Sequence, residues 1–508
     1  MNKKTIFLIF TIFIFAFILR VIFLPQKALT FGYDQARDAF TVQEILNGDF
    51  KILGPPASTP GLYHGVFYYY LLAPAYFVGG GSPIFAAYWI AFLNALVVIL
   101  IFYLTYFLTK KTGTSLLASF LFAISFESTQ YATWLSNPTI GIWTVPLTYL
   151  GLWAWLKERR KWGAVICALG LGLSIQGEVF LAYHLIPIIL WLWVGRKDVK
   201  KQSLVYFFTA LIFTLFSMLL VEFKFGFRGI SGVANLLSGQ DVFISARNLG
   251  DFIVLYLNQF GRIFTNSVLP SNSGYGGVLG LLVLWWLIKE LRKVKDRGIS
   301  WQAFLGTFIL AHLPIVSVGG ISTPFLTVGL GIAAIIATSA FIRALWDKKR
   351  AVSIAIFLAI LLSNINTVSS MNGNGQTLFS IQKDMVLAKE LQAVNYTYGE
   401  AKGQSFSINT LTSPLWINIT WSYLYNWYGK EKYGFLPQWH GRNQIGQLGN
   451  NLSDTSPETQ LYFFIIEPMQ GIPGHYLSLE IGAEDANSTV VEEKSFGEIR
   501  VQKRMRKE

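Results

Sequence analysis

Residues 5 to 24 are almost wholly apolar. At about 1.5 Å rise per residue, a helix of that length reaches about 30 Å, the thickness of a bilayer's hydrocarbon core. Such a segment must satisfy its backbone internally and is expected to cross a membrane as a helix. It lacks the shorter apolar core and small-residue cleavage site of a signal peptide before Leu24-Pro25-Gln26, so it is expected to be retained. Ten further apolar runs follow, at 83–109, 113–133, 138–156, 161–177, 178–195, 202–222, 275–290, 301–319, 324–346 and 350–367. The expected fold class is therefore a polytopic α-helical membrane protein with eleven transmembrane helices. Composition points the same way, since 508 residues with 53% hydrophobic and only 14% charged side chains cannot present an ordinary soluble surface.

The net charge of +13 would suggest a nucleic-acid partner in a soluble chain. Here the cations collect in short loops between spans, as cytoplasmic anchoring requires, and no nucleic acid is implied. The clusters are Lys110-Lys111, Lys157 with Arg159 to Lys161, Arg196 to Lys201, Lys289 to Arg297, and Arg343 with Lys348 to Arg350. All fall on one side if eleven spans are counted. A further span over 66–80 would place every later cluster outside, so that stretch is read as an interfacial helix whose tyrosines keep their hydroxyls wet at the headgroups. The expected protein sits in the plasma membrane with a cytoplasmic N-terminus. Residues 1–367 form the membrane module, with outer loops at 25–82 and 223–274, and 368–508 form an extracytoplasmic α/β domain.

Within that tail, helical patterns at 381–395 and 416–428 alternate with strand-like runs at 405–411, 461–466, 489–496 and 498–503. Four Asn-x-Ser/Thr sequons, at Asn395, Asn418, Asn451 and Asn487, also lie there. The single cysteine, Cys167, excludes an internal disulfide.

Chemistry is expected at the outer boundary. In Gly32-Tyr33-Asp34-Gln35-Ala36-Arg37-Asp38, helical spacing puts Asp34, Arg37 and Asp38 on one face. They are either a reactive group with its supports or a surface ion-pair network continuing to Glu44. The turn-rich Leu53-Gly54-Pro55-Pro56 stretch can hold the loop in a fixed shape, and His64 can donate to a substrate oxygen. Gln176 and Glu178 stand at an outer turn between two spans, where Glu178 is either a second group of the same cavity or a solvated turn carboxylate. His184, Glu222 and His312, at span ends, are read as structural. Glycine pairs such as Gly170 and Gly172 suit close helix packing.

The first span, the Tyr-Asp-Gln-Ala-Arg-Asp stretch, the Gly-Pro-Pro turn, the His64-Gly65 pair followed by Tyr68-Tyr69-Tyr70-Leu71-Leu72-Ala73-Pro74, and the outer tail resemble the GT-C membrane glycosyltransferases. The likeness is sharpest over residues 20 to 80. More narrowly it is to the family-39 type, related to protein O-mannosyltransferases and lipid A aminoarabinose transferases. The resemblance implies a polyprenyl- or dolichyl-phosphate-linked sugar donor and a catalytic aspartate in the first outer loop, which matches Asp34. Gln35 stands where the family commonly has an acid, and His64-Gly65-Val66 where it has His-Pro-Pro.

Nucleotide sugars are cytosolic, so an outer-face transferase needs a donor brought through the membrane, and a lipid-phosphate sugar meets that need. Asp34 is then the general base of an inverting displacement onto a protein, glycolipid or glycan acceptor. Arg37, Asp38, His64, Gln176 and Glu178 are expected to bind substrate. Lys224, Arg228, Arg247 and Arg262 are expected to hold the donor phosphate. No Asp-x-Asp and no His/Cys cluster occurs, so no metal and no cofactor are expected. Tyr425-Asn426-Trp427-Tyr428-Gly429 only echoes a metal-using oligosaccharyltransferase signature and lacks its aspartate. The alternatives are a lipid-linked-sugar flippase or transporter, against which the lack of an internal repeat counts, and a polysaccharide polymerase or ligase.

Overall fold

The computed structural model describes residues 2–57, 61–237, 248–271, 274–295, 298–313, 323–380, 382–453 and 459–507. A helical bundle occupies the first three quarters of the chain and a small mixed sheet with its helices the rest. Helices α1 (Lys3–Val21), α2 (Tyr33–Leu46), α3 (Phe67–Val78) and α4 (Pro83–Thr109) open the chain. Next come α5 (Thr112–Ile124), α6 (Phe126–Thr133), α7 (Gly141–Leu156), α8 (Lys161–Gly177), α9 (Leu185–Val194) and α10 (Lys201–Lys224).

Five helical stretches among the described residues are long and apolar enough to cross a membrane: Lys3–Gln26, Pro83–Thr109, Asn137–Leu156, Lys201–Lys224 and Arg350–Met371. Thr112–Ile124, Val179–Val194 and Leu330–Trp346 are apolar but shorter. The apolar runs are less regular than expected, because several of them are interrupted. The 113–133 run breaks at Ser125, whose side chain caps α6, and the 178–195 run begins as a 3-10 turn over Val179–His184. Arg20 stabilises the first break. It is 1% exposed, donates to the carbonyls of Phe122 and Ala123 beside the break, and reaches Asn94 at 2.7 Å and the Ser128 hydroxyl.

The 223–274 region is not a plain loop. It contains the helices Arg228–Leu237 and Leu249–Ser267, and the second buries Phe260, Ile263 and Phe264 in the same core as the bundle. Gly280 permits this approach, since a Cβ there would meet the Phe264 ring at 2.6 Å. Gly170 likewise lets α8 pack on α7, where a Cβ would lie 2.5 Å from the Thr148 amide nitrogen.

Ion pairs of Lys110 with Glu158 (2.5 Å) and Arg159 with Asp198 (2.7 Å) gather three of the basic loops at one end of the bundle. The other end carries α2 and α3. At twelve residues, α3 spans only about 18 Å, too short to cross, as expected for 66–80. Its tyrosines depart from expectation, however: Tyr68, Tyr69 and Tyr76 are buried rather than wet.

The sheet has strand order β2-β1-β3-β5-β4, with β1 Ser407–Leu411, β2 Gln438–Trp439, β3 Leu461–Ile466, β4 Ser488–Phe496 and β5 Ile499–Arg506. β1 pairs in parallel with β2 and β3, and β5 runs antiparallel to β3 and β4. Leu387–Ala401 and Gly474–Asn487 are its main helices, the second unforeseen in the sequence. This unit is stitched to the α2 end of the bundle. Phe31 donates to the Met385 carbonyl at 3.2 Å and Leu387 to that of Leu29 at 2.8 Å. Tyr423 packs edge-on to Phe40 and donates to the Gly81 carbonyl at 2.6 Å. Of the sequons, Asn418 is buried and bonded to Ser422 and Thr410, which closes it to modification. In the 425–429 echo, Tyr425 is buried and bonded to Thr397 at 2.9 Å.

Candidate active site

Helix α2 positions the central group. Gln35 folds back so that its side-chain oxygen accepts from the Gly32 N–H at 3.0 Å, satisfying one open donor of the helix start. That places Asp34 in the first turn with its carboxylate half exposed, at 53%. Arg37, one turn on, donates Nη1 to Asp34 Oδ1 at 2.7 Å. Its Nε and Nη2 both reach Asp38 Oδ1, at 2.9 and 2.7 Å. The expected shared face is therefore real, but it is not a surface network. Arg37 and Asp38 are buried, while Glu44 pairs separately with Lys51 at 2.9 Å.

Charge at this cluster is asymmetric. Burial pushes the Asp38 carboxyl up to about 7, against the pull of Arg37. Burial also opposes the Arg37 charge, but Asp38 and Asp34 outweigh it and raise its pKa. Asp38 Oδ2 is buried without a hydrogen-bond partner among the described residues. Tyr68, Tyr69 and Tyr76 lie within electrostatic reach of it, and burial followed by the Asp38 charge raises all three phenols. Asp38 was expected to touch substrate. It is 1% exposed and accepts from Arg37 Nε and Nη2, while Arg37 Nη1 reaches Asp34.

The loop after α2 closes over this group by close backbone packing. His64 donates its amide to the Pro55 carbonyl at 2.8 Å, and Ala57 donates to that of Leu62 at 2.9 Å. At Gly54 a Cβ would lie 2.4 Å from the carbonyl oxygens of His64 and Gly65. Gly65 in turn donates to the Gln176 carbonyl at 2.8 Å and leaves room for the Gln176 side chain, which a Cβ would meet at 2.0 Å. Where a His-Pro-Pro stretch was the family expectation, glycine serves this contact.

The other expected site residues separate into groups. Gln176 accepts from the Phe67 N–H at 3.2 Å and donates to the Thr214 carbonyl, so its amide is engaged within the protein. His64 is buried. Its Nδ1 accepts from the Val179 N–H at 3.3 Å and lies 4.0 Å from Glu178 Oε1. Burial, then the nearby Arg37 charge, lowers the imidazole to about 3, so it is neutral and its contact with Glu178 is not an ion pair. Glu178 is buried too and caps the following turn at the Phe180 N–H, 3.2 Å away. It is therefore not a solvated turn carboxylate.

Among the expected phosphate-binding cations, Arg228 is exposed at the start of its helix, with its backbone against Gly61 of the first outer loop. Lys224 is exposed and lies over the Phe225 ring at 5.5 Å. Arg262 is half-buried on the Leu249–Ser267 helix, whose principal neighbours are Tyr275–Leu291 and Leu330–Trp346 rather than α2. Arg247 lies outside the described residues.

His184, read as structural, bonds to the Tyr149 hydroxyl across helices at 2.9 Å. His312 bonds to Ile309 of its own segment and stacks on Tyr256, and Glu222 caps Ile230 at 3.2 Å. Sequence reasoning passed over Glu127, a buried carboxylate bonded to the Ser267 hydroxyl. A lone acid inside the apolar 113–133 run was the available signal. Among the described residues no three His, Cys, Asp or Glu side chains are grouped to hold a metal ion.

No protein-family model matches the chain, and no curated protein matches it. Among solved structures it is similar to ArnT from Cupriavidus metallidurans bound to undecaprenyl phosphate, with a TM-score of 0.59 at 12% identity, covering 99% of this chain and 98% of that one. The apo form of ArnT gives 0.59 at 11% identity over 96% and 97%. The apo oligosaccharyltransferase of Archaeoglobus fulgidus gives 0.52 at 14% identity, over 82% of this chain and 64% of that one. The chain thus has the fold of the GT-C membrane glycosyltransferases.

Proposed function

We propose that this protein is an integral-membrane glycosyltransferase that moves a sugar from a polyprenyl-phosphate donor to an acceptor on the extracytoplasmic face, with inversion and without a metal ion. The observation that carries the reading is the Asp34 carboxylate, half exposed on a helix start and aimed by a buried Arg37–Asp38 pair, in a chain whose whole length follows a fold seen with undecaprenyl phosphate bound. In this reading residues 1–367 are the catalytic membrane module and 368–508 an extracytoplasmic domain docked over it.

Asp34 takes the proton of the acceptor hydroxyl or amine as that atom attacks the anomeric carbon. The bond from that carbon to the phosphate oxygen breaks, and polyprenyl phosphate leaves with the bonding pair. Arg37 holds the base in place. Its Nη1, bonded to the half-exposed Asp34, is the donor for which an incoming anion can compete. Arg228, against the first outer loop, is the leading cation for the departing phosphate, with Arg247, Lys224 and Arg262 as further candidates.

Purified protein in nanodiscs, supplied with radiolabelled polyprenyl-phosphate sugars, tests the reading. Release of polyprenyl phosphate with at least one donor is expected, and failure with every donor and acceptor class offered would overturn it.

A further inference from the structure

The sheet domain bears on α2 through two segments, and both lead back to one carboxylate. Glu467 follows β3 directly and is 2% exposed. Its amide extends the β1–β3 ladder by donating to the Leu411 carbonyl at 3.0 Å, so its backbone is fixed by the centre of the sheet. Three N–H groups converge on its side chain. Oε2 accepts from the Gln382 side chain and from the Ser413 amide, both at 2.9 Å, and Oε1 accepts from the Trp421 indole at 3.0 Å. All three partners are donors, so a side chain with two acceptor oxygens is needed to satisfy them together.

Gln382 begins the first segment, and its side chain also donates to the Pro468 carbonyl at 2.9 Å. Asp384 then takes a left-handed turn, with φ of 73°, and is held by Lys389 at 2.7 Å and by the Glu498 amide at 3.2 Å. Beyond it the chain lies along the first outer loop. Val386 bridges to Thr30, Phe31 donates to Met385, and Ala388 donates to the Lys27 carbonyl at 3.2 Å. Phe31 is followed by Gly32, the N-cap of α2, and Asp34 stands in the first turn after it. Trp421 begins the second segment. It is fully buried in the helix Ile419–Leu424, whose Tyr423 packs on Phe40 in the middle of α2 and bonds to Gly81.

We propose that Glu467 is a positioning residue for Asp34: by binding both segments at once, it fixes α2 against the sheet domain and holds the Asp34 carboxylate in its working orientation. The proposal rests on the reading of Asp34 as the base. It gives the outer domain a part in the transfer step without requiring that domain to touch substrate. Losing one segment lets the start of α2 move, and a displacement of about 1 Å at a reacting group costs on the order of 10²-fold in rate.

Hydrogen exchange and transfer kinetics of the full-length protein in nanodiscs, compared across Gln382→Ala, Glu467→Gln and Tyr462→Phe, test this. Glutamine at 467 keeps the shape but turns one acceptor into a donor, which strands at least one of the three N–H groups. Tyr462→Phe removes buried bonds to Glu484 and Ser488 within the same sheet and touches neither segment. Exchange at residues 29–38 should quicken severalfold in Gln382→Ala and Glu467→Gln and stay at the wild-type rate in Tyr462→Phe. In the first two variants kcat should fall roughly 10- to 100-fold with donor KM near wild type, the split expected when binding persists and orientation is lost. Gln382→Ala, at a half-buried position, serves if Glu467→Gln is not recovered folded. Unchanged exchange at 29–38, equal quickening in Tyr462→Phe, or quickened exchange with unchanged kcat would overturn the proposal. A wild type that transfers no sugar from any donor would sink the reading of Asp34, and the positioning role with it, even where the exchange rates respond as expected.

Discussion

Replacing Arg37 by Met should destabilise the protein in a way that depends on pH. Arg37 and Asp38 are both buried, and Arg37 provides both hydrogen bonds that Asp38 Oδ1 receives. Removing one partner of a buried pair costs about 3–5 kcal/mol, because the other charge is left uncompensated. A neutral buried group left unsatisfied costs only about 1–3 kcal/mol. Which figure applies depends on the protonation of Asp38.

Its folded-state pKa, about 7, lies above the ordinary 3.8, so the protonated form favours the fold. That contribution is fully present below about pH 4 and is lost as pH rises through about 7. Without Arg37 the carboxyl rises further, because the charge that opposed burial is gone, and the loss extends to higher pH. The deficit of Arg37→Met should therefore be modest near pH 5 and grow toward the larger figure near pH 8.5. Thermal unfolding of wild type and variant in one detergent at both pH values measures it. Arg37→Met with Asp38→Asn should recover part of the loss at the higher pH, since no buried charge is then stranded. A deficit equal at both pH values, or a double variant less stable than Arg37→Met at pH 8.5, would refute the reasoning.

Gly54→Ala should prevent the first outer loop from closing, because its Cβ would lie 2.4 Å from backbone that cannot yield. Loss of turnover together with faster proteolysis of 53–65 checks it, and Ala at the open Gly113 is the neutral control. EDTA should leave transfer unchanged in the proposed metal-free mechanism, and its abolition with recovery on adding a divalent ion would reverse that reading. Impermeant thiol labelling in intact cells, on single cysteines introduced in place of Lys402 and Arg159 in a Cys167→Ser background, should mark 402 and not 159. The opposite pattern would invert the proposed topology.

How far the sequence could be read follows from the range of the forces involved. Apolar runs report burial in lipid or protein directly, so the helical bundle and the short helix within 66–80 were legible. The breaks within those runs were not, because Arg20 stabilises the one at Ser125 through contacts more than 100 residues away. Spacing three and four apart was enough to join Asp34, Arg37 and Asp38, yet local spacing carries no information on depth. It therefore left open whether the group was a surface network, and it gave no sign that Asp38 is buried. Strand runs such as 461–466 were read to the residue because hydrophobic β-branched and aromatic stretches bounded by polar loops are local signals. The Gly474–Asn487 helix, with mixed composition and little amphipathic pattern, gave no such signal. Amphipathic residues of the second outer region were read as loop charges, although Phe260 and Phe264 recur at helical spacing and mark a packed face.

The central claim is tested most directly by the rate at which purified protein releases polyprenyl phosphate from a donor it accepts, compared with Asp34→Asn. The substitution keeps the side chain's shape and its bond to Arg37 while removing the base. A fall of roughly 10²- to 10⁴-fold is expected, with donor binding and thermal stability near wild type. A folded Asp34→Asn protein that turns over at a rate close to wild type would contradict the account.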